Sequence, residues 1–180
     1  IVKTQHITEF NKGPIYRSLY SNGAVLLEHK AMGFVGSKVN LNFLAGSIFE
    51  SELQEGLSHF IEHLLFKEDD LNLVSELELS GAEVNAYTYK ENVCFEMSCL
   101  AASLDELLPL FLEKFFQIEF TEEILLKEKE VIIKELKEDL DDHETQAIEH
   151  IFDRNFDRKL GHPIGGKIAQ VKKYTSSDIH

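Results

Sequence analysis

The segment Gly56-Leu-Ser-His-Phe-Ile-Glu-His-Leu-Leu-Phe-Lys67 is the most informative part of the sequence. Its apolar residues recur every three or four positions, which predicts an amphipathic helix over residues 55–67. Because an α-helix has 3.6 residues per turn, His59 and His63 lie one turn apart on the same face. Glu62 flanks that face, three residues after His59. The segment therefore places two imidazoles and a carboxylate side by side.

This arrangement suits a catalytic metal site. Two imidazoles on adjacent turns can bind one zinc ion, and such sites use three protein ligands with a fourth position open for water. A nearby carboxylate can accept the proton of that water, and Glu62 can do so without being a ligand. A His-x-x-x-His pair also occurs by chance on helices, as a solvated pair or at the edge of a core. The segment alone leaves both interpretations open.

A third ligand is available on a second predicted helix. Glu128 and Glu135 are seven residues apart and so share one helix face. The residues between them include an apolar stripe, and an acidic residue beside a buried stripe is costly unless it is paired or bound to a metal. The alternative is that both glutamates are solvated partners of Lys129 and Lys134.

The rest of the chain alternates between strand and helix patterns. The first twenty residues look irregular, and Gly46 predicts a bulge or a close backbone approach. Residues 83–100 are typical of a long strand or of a hairpin bent near residue 91. The other predicted elements are strands over Ala24–His29 and Ser37–Phe49, a helix over Leu71–Leu79 capped by Asp69 or Asp70, a helix from a Ser103 cap to about Gln117, a helix from Thr121 towards Phe156 with a break near Asp139–Asp142, a short helix within Lys167–Tyr174, and a helix begun at Ser176.

Composition argues against two classes of partner. The net charge of −14 disfavours nucleic acid, which is bound by clusters of Lys and Arg. No apolar run is long enough to span a membrane, so a membrane partner is not expected. Cys94 and Cys99 lie on opposite faces of one predicted strand, so a disulfide between them is not expected. The chain is expected to be soluble, and the cytoplasm is slightly favoured as its compartment.

Four blocks of the sequence together resemble the M16 peptidases, the family of pitrilysin, insulin-degrading enzyme and the mitochondrial processing peptidases. The His-x-x-Glu-His pattern is the inverzincin signature. The blocks are GLSHFIEHLLFK at 56–67, GAEVNAYTY at 81–89, EKEVIIKE at 128–135 and GHPIGG at 161–166. The resemblance covers the chain from about Gly23 to its end.

The resemblance implies a role for each matching residue. His59, His63 and Glu135 would bind zinc, Glu62 would be the general base, and Glu128 would be a catalytic-site acid that orients a histidine. Two further residues, Asn85 and Ala86, would lie on an edge strand that binds a peptide substrate through its main chain.

The resemblance also implies a fold and an activity. The expected fold is α+β, a mainly antiparallel sheet with helices packed on one face, as in LuxS and M16 proteins. Residues 1–180 would form a single peptidase domain that stops before its last strands. The expected activity is that of a zinc-dependent endopeptidase. Its partners would be a peptide and a second homologous half, on the same chain or on another subunit.

Two alternatives stay open at this point. A LuxS-like lyase shares the fold and the histidine motif, but it takes a cysteine as its third ligand. A non-catalytic or partner-dependent half would bind peptide without cleaving it alone.

Overall fold

The computed structural model describes residues 1–10, 13–66, 73–116 and 120–179. The chain forms two compact units, Ile1–Ser37 and Lys38–His180. The expectation of one peptidase domain over residues 1–180 stays a prediction. None of the helices in the described ranges is long and apolar enough to cross a membrane.

The first unit is a three-stranded antiparallel sheet. Its strands are β1 (Lys3–Phe10), β2 (Gly13–Leu19) and β3 (Val25–His29), in the order β1-β2-β3. The predicted strand at Ala24–His29 is confirmed, whereas the irregular reading of the first twenty residues was wrong. All eight residues of β1 are exposed, so its sequence carries no alternation between a buried and a solvated face.

A second three-stranded sheet consists of β4 (Gly36–Phe43), β5 (Glu83–Thr88) and β6 (Val93–Leu100), in the order β4-β6-β5, and all but the first two residues of β4 belong to the second unit. Residues 83–100 form an antiparallel hairpin, in which Val84 faces Met97 and Thr88 faces Val93. Of the two structures that the sequence left open, the hairpin is the one observed.

Helices pack against this sheet, and most of their bounds follow the predicted pattern. Two short 3-10 helices, Ser47–Phe49 and Ala101–Ser103, precede α1 and α3. The α-helices are α1 (Leu57–Leu65), α2 (Leu73–Leu79), α3 (Leu104–Phe116), α4 (Glu122–Asp141), α5 (His143–Asn155), α6 (Arg158–Gly161), α7 (Ile168–Val171) and α8 (Ser176–Ile179). The predicted break near residues 139–142 is the α4–α5 junction. The predicted cap at Asp69 or Asp70 lies outside the described residues.

Two buried clusters hold the second unit together. One joins one face of the β5–β6 hairpin to α2 and α3, and it includes Phe95, Met97 and Phe111. The other joins α1 to α4 and α7 through Phe60, Leu64, Ile132 and neighbouring apolar side chains. Cys94 and Cys99 are free and buried on β6. The expected α+β fold, with antiparallel sheets and helices, is confirmed.

Candidate metal centre

The first turn of α1 is fixed at a glycine. Gly56 precedes the helix with φ = 85°, a conformation that L side chains rarely adopt. The Glu50 carboxylate caps the same end of the helix, because it accepts hydrogen bonds from the N–H groups of Gly56 and Ser58, both at 2.7 Å. The conformation of Gly56 and the Glu50 cap together fix where α1 starts. They therefore also fix the direction in which His59 and His63 point.

The helix α4 lies against α1 through apolar contacts. Phe60 and Leu64 of α1 belong to the same buried cluster as Leu125, Ile132 and Leu136 of α4. These three α4 residues recur at helical spacing, so they turn one face of α4 towards α1. Glu128 and Glu135 come to the site on that face.

Three side chains meet where the two helices face each other. The Nε2 atoms of His59 and His63 are 3.1 Å apart. Glu135 places Oε1 3.7 Å from His59 Nε2 and Oε2 3.2 Å from His63 Nε2. In the part of the chain that the structure describes, His59, His63 and Glu135 are the one group of three histidine, cysteine or acidic side chains close enough together to hold a metal ion.

The spacing and chemistry of these atoms fit zinc. Zinc binds nitrogen and oxygen ligands at about 2.0–2.2 Å in a tetrahedron, which separates two ligand atoms by roughly 3.3 Å. The observed separations of 3.1, 3.2 and 3.7 Å lie around that value. Two histidines and one carboxylate are also a common ligand set for catalytic zinc.

The surroundings give the two histidines different proton affinities. Burial lowers the pKa of His59, which favours the neutral ring that a metal requires. Burial opposes protonation of His63 as well, but the carboxylates of Glu128 and Glu135 outweigh it and raise the pKa of His63 to about 9. The hydrogen bond with His63 lowers the pKa of Glu135. Without metal, the site therefore holds its proton on His63.

Glu128 lies behind the histidine pair. Its side chain is buried, and its Oε2 is 3.7 Å from His63 Nδ1, the ring nitrogen that faces away from the cluster. A carboxylate at this nitrogen can orient the ring and fix which nitrogen carries the proton. The structure thus brings Glu128 next to His63 Nδ1.

Glu62 lies on α1 immediately before His63, and a strand residue holds its carboxylate. The Thr88 hydroxyl donates a hydrogen bond of 2.6 Å to Glu62 Oε2. Thr88 belongs to the quoted block at 81–89, but no local pattern predicts this contact. The two residues are 26 positions apart, and only the packing of α1 against β5 joins them.

Asn85 and Ala86 lie in the middle of β5. Within the described residues, β5 pairs with β6 on one side and is at the edge of its sheet. Both residues therefore lie on a strand whose other side can accept a further strand. They belong to the same sheet as Thr88 but are not members of the three-residue cluster.

Sequence reasoning also missed Glu50. Its role as the cap of α1 depends on a loop that brings residue 50 back to the helix start. Acidic residues are favoured at the N-terminal end of a helix, but Glu50 lies six positions before Gly56 in the sequence. No local spacing rule connects them.

Comparisons with known proteins show which family the chain resembles. The family model described as Insulinase (Peptidase family M16) matches residues 24–167. The probable mitochondrial-processing peptidase subunit beta of Arabidopsis thaliana is 30% identical over 140 residues, which are 75% of this chain and 26% of that protein. An uncharacterized zinc protease of Rickettsia felis is 29% identical over 164 residues, which are 88% of this chain and 40% of that protein.

Solved structures share the fold. A protease from Helicobacter pylori superposes with a TM-score of 0.84 at 20% identity, over 93% of this chain and 42% of that one. The chain thus spans between about a quarter and two fifths of the length of the curated relatives described above.

Proposed function

The chain belongs to the insulinase family of peptidases, family M16, and from that premise we propose that it carries the catalytic zinc site of a metalloendopeptidase. The observation that carries the proposal is the convergence of His59, His63 and Glu135 on one point. The relative in Rickettsia felis is named a zinc protease, which supports the same metal here.

Each residue of the site has a task in peptide hydrolysis. His59, His63 and Glu135 would hold the zinc ion, and Glu128 would keep the His63 ring in its binding orientation. When bound, zinc supplies a Lewis acid that polarises the peptide carbonyl and makes water more acidic. Glu62 accepts a proton from the attacking water and passes it to the leaving amine, so the carboxylate ends the cycle as it began.

The substrate is proposed to be a peptide or an unfolded protein segment. An extended peptide can add to the edge of β5 beside Asn85 and Ala86 through main-chain hydrogen bonds. Because such bonds involve no side chains, this mode accepts many sequences. Because β5 ends at Thr88, whose hydroxyl contacts Glu62, a peptide along this edge would run past Glu62.

A lyase of the LuxS type is disfavoured by the third ligand. That chemistry would require a cysteine in the cluster. Within the described residues the cluster contains the carboxylate of Glu135, while Cys94 and Cys99 are buried on β6.

The central test is a Glu62→Gln substitution in the complete, zinc-loaded protein. Glutamine keeps the shape of the side chain and can still accept the Thr88 hydrogen bond, but it cannot accept a proton. Hydrolysis of a quenched peptide should fall by about 10²- to 10⁴-fold, the usual contribution of general base catalysis. The zinc content, measured by elemental analysis, should stay near one per chain.

A matched control separates the loss of the proposed general base from the mere loss of a negative charge. Glu130→Gln makes the same change at an exposed position of α4, and it should leave both zinc content and hydrolysis unchanged. Retained hydrolysis in the Glu62 variant, or zinc lost from it, would remove Glu62 from the proposed role.

A further inference from the structure

The hydrogen bond between Thr88 and Glu62 links the end of a strand to the centre of the zinc-site helix. We propose that Thr88 is a positioning residue, which holds the Glu62 carboxylate in the orientation needed to accept a proton from water. The inference rests on the proposed peptidase function, in which Glu62 is the base. Its evidence is the 2.6 Å contact from Thr88 Oγ1 to Glu62 Oε2, in a partly buried setting.

The register of the hairpin explains why a threonine side chain points at α1. Thr88 pairs with Val93, Ala86 with Phe95 and Val84 with Met97. Side chains two positions apart on a strand share a face, so Thr88 lies on the same face as Val84, Ala86 and the buried core. That face is covered by helices. Thr88 is its last position and bears a hydroxyl where the earlier positions are apolar.

The turn that follows Thr88 is held in place from several directions. The N–H of Tyr89 donates to the carbonyl of Asn92, and the N–H of Ile48 donates to the carbonyl of Lys90. The Lys90 ammonium donates to the carbonyl of His162 at 2.7 Å. A Cβ on Gly46 would come within 2.5 Å of the Tyr89 carbonyl oxygen, so this approach tolerates no side chain. The backbone that carries Thr88 is therefore rigidly placed.

The side chain of Glu62 needs such a fixed partner. Helix α1 sets its backbone, but several rotatable bonds separate the helix from the carboxylate, and an unheld side chain would sample other rotamers. A hydrogen bond to a charged carboxylate is stronger than one between neutral groups. The bond engages Oε2, and in the proposed role the proton goes to the other oxygen, Oε1. Threonine has a single O–H to donate, and Glu62 receives it.

The test compares Thr88→Val with Thr88→Ser in the complete, zinc-loaded protein. Valine keeps the branched shape and removes the donor, whereas serine keeps the donor and removes a methyl group. For valine, kcat for a quenched peptide should fall about ten- to a hundredfold, as expected for the loss of a hydrogen bond to a charged group. KM should change less than about threefold, and zinc content should not change, because Thr88 touches neither peptide nor metal in this role. Serine should restore most of kcat.

A double-mutant cycle with Glu62→Gln distinguishes positioning from support of the fold. If Thr88 acts through Glu62, adding Thr88→Val to the Glu62→Gln protein should cause almost no further loss of the residual activity. A full additional loss would overturn the inference, as would an unchanged kcat in Thr88→Val or a serine variant no better than valine. Thr88→Ala removes the same donor with less bulk, and it replaces valine in the cycle if the valine protein does not fold.

The outcomes also separate this inference from the proposed function. A wild-type protein that binds zinc but cleaves no peptide overturns both. A wild-type peptidase that depends on Glu62 but is indifferent to Thr88→Val overturns the role of Thr88 alone.

Discussion

His63 faces two carboxylates at once, and this decides how protons compete with a metal ion at the site. Glu128 lies 3.7 Å from Nδ1 and Glu135 lies 3.2 Å from Nε2. Despite burial, the two carboxylates raise the pKa of His63 from 6.5 to about 9. In the metal-free protein, this proton contributes stability that is fully present below pH 6.5 and is lost as the pH rises through about 9.

Zinc binding should therefore become tighter with rising pH. A metal binds only the neutral imidazole, so each ion must displace the proton of His63. Between pH 7 and pH 9 the apparent affinity should rise roughly tenfold per pH unit, and it should level off above about 9. Competition with a fluorescent zinc chelator, corrected for the chelator's own protonation, measures this slope.

A pair of alanine variants assigns the slope to His63. His63→Ala should abolish tight zinc binding, because two ligands remain of three. His143→Ala removes an exposed histidine at the start of α5, and it should preserve both the affinity and the slope. A full zinc complement in the His63 variant, or a flat profile in the wild type, would contradict the assignment.

Candidate residues of the site could be found from the sequence where their spacing lies within a single helix. His59, Glu62 and His63 follow from the spacing within one helix, and Glu128 and Glu135 from the spacing within another. The expectation that Glu135 would share one metal ion with the two histidines came from the family resemblance, because no periodicity relates two separate helices. Thr88 and Glu50 act through contacts between elements, so local pattern could not reveal their roles.

At the scale of elements, the position of α1 depends on a close backbone approach. Gly56 has φ = 85°, and a Cβ there would come within 2.4 Å of the Gly165 carbonyl oxygen. A Cβ on Gly165 would in turn meet Leu136 at 2.6 Å and approach His59 Nδ1 at 3.6 Å. The glycines at 56 and 165 thus let the turn at residues 161–166 lie directly against α1.

Replacing Gly56 with alanine should damage both stability and the metal site. A left-handed conformation costs an alanine about 1–2 kcal/mol, and the clash with the Gly165 backbone should add roughly 1–3 kcal/mol by forcing a shift. Because the shift moves α1, zinc affinity should fall as well. Urea unfolding of the metal-free protein and zinc competition measure the two effects.

Gly81→Ala is the control for the stability lost through the left-handed conformation alone. Gly81 has φ = 86°, but nothing lies within 4 Å of the position of its Cβ. The free energy of unfolding of this variant should fall only by the cost of that conformation, about 1–2 kcal/mol. Its zinc affinity should not change. Equal losses of unfolding free energy and of zinc affinity in the two variants would show that the close approach at Gly56 contributes to neither.

Elements were predicted well where one face is buried. The bounds of α1 and α4 follow from apolar spacing. The helix predicted to start at Thr121 does so, and the Thr121 side chain caps it by accepting a hydrogen bond from the N–H of Ile124 at 3.3 Å. The β1–β2 hairpin was missed because β1 has no buried residue and so no alternating pattern. Hairpin and single strand could not be distinguished over residues 83–100, since both have the same side-chain alternation until the chain turns.

At the scale of the whole molecule, the openness of the metal site is the decisive feature. The side chain of Glu135 is 43% exposed, so in this chain the cluster is accessible to water on one side. An open site can activate water but does not hold a peptide against it. Positioning of reactants and exclusion of water contribute on the order of several kcal/mol to a catalysed barrier.

We therefore expect this chain alone to be a poor peptidase that needs a complementary half, on the same polypeptide or on a partner subunit. A quenched peptide should be cleaved at least about a hundredfold more slowly by residues 1–180 than by the same residues combined with the remainder of the protein or with its partner. The Glu62→Gln form of this chain, combined with the same second half, is the control and should show no such rise. Equal turnover by the lone chain and the full assembly would contradict the expectation, because it would mean that this chain alone suffices to hold the substrate.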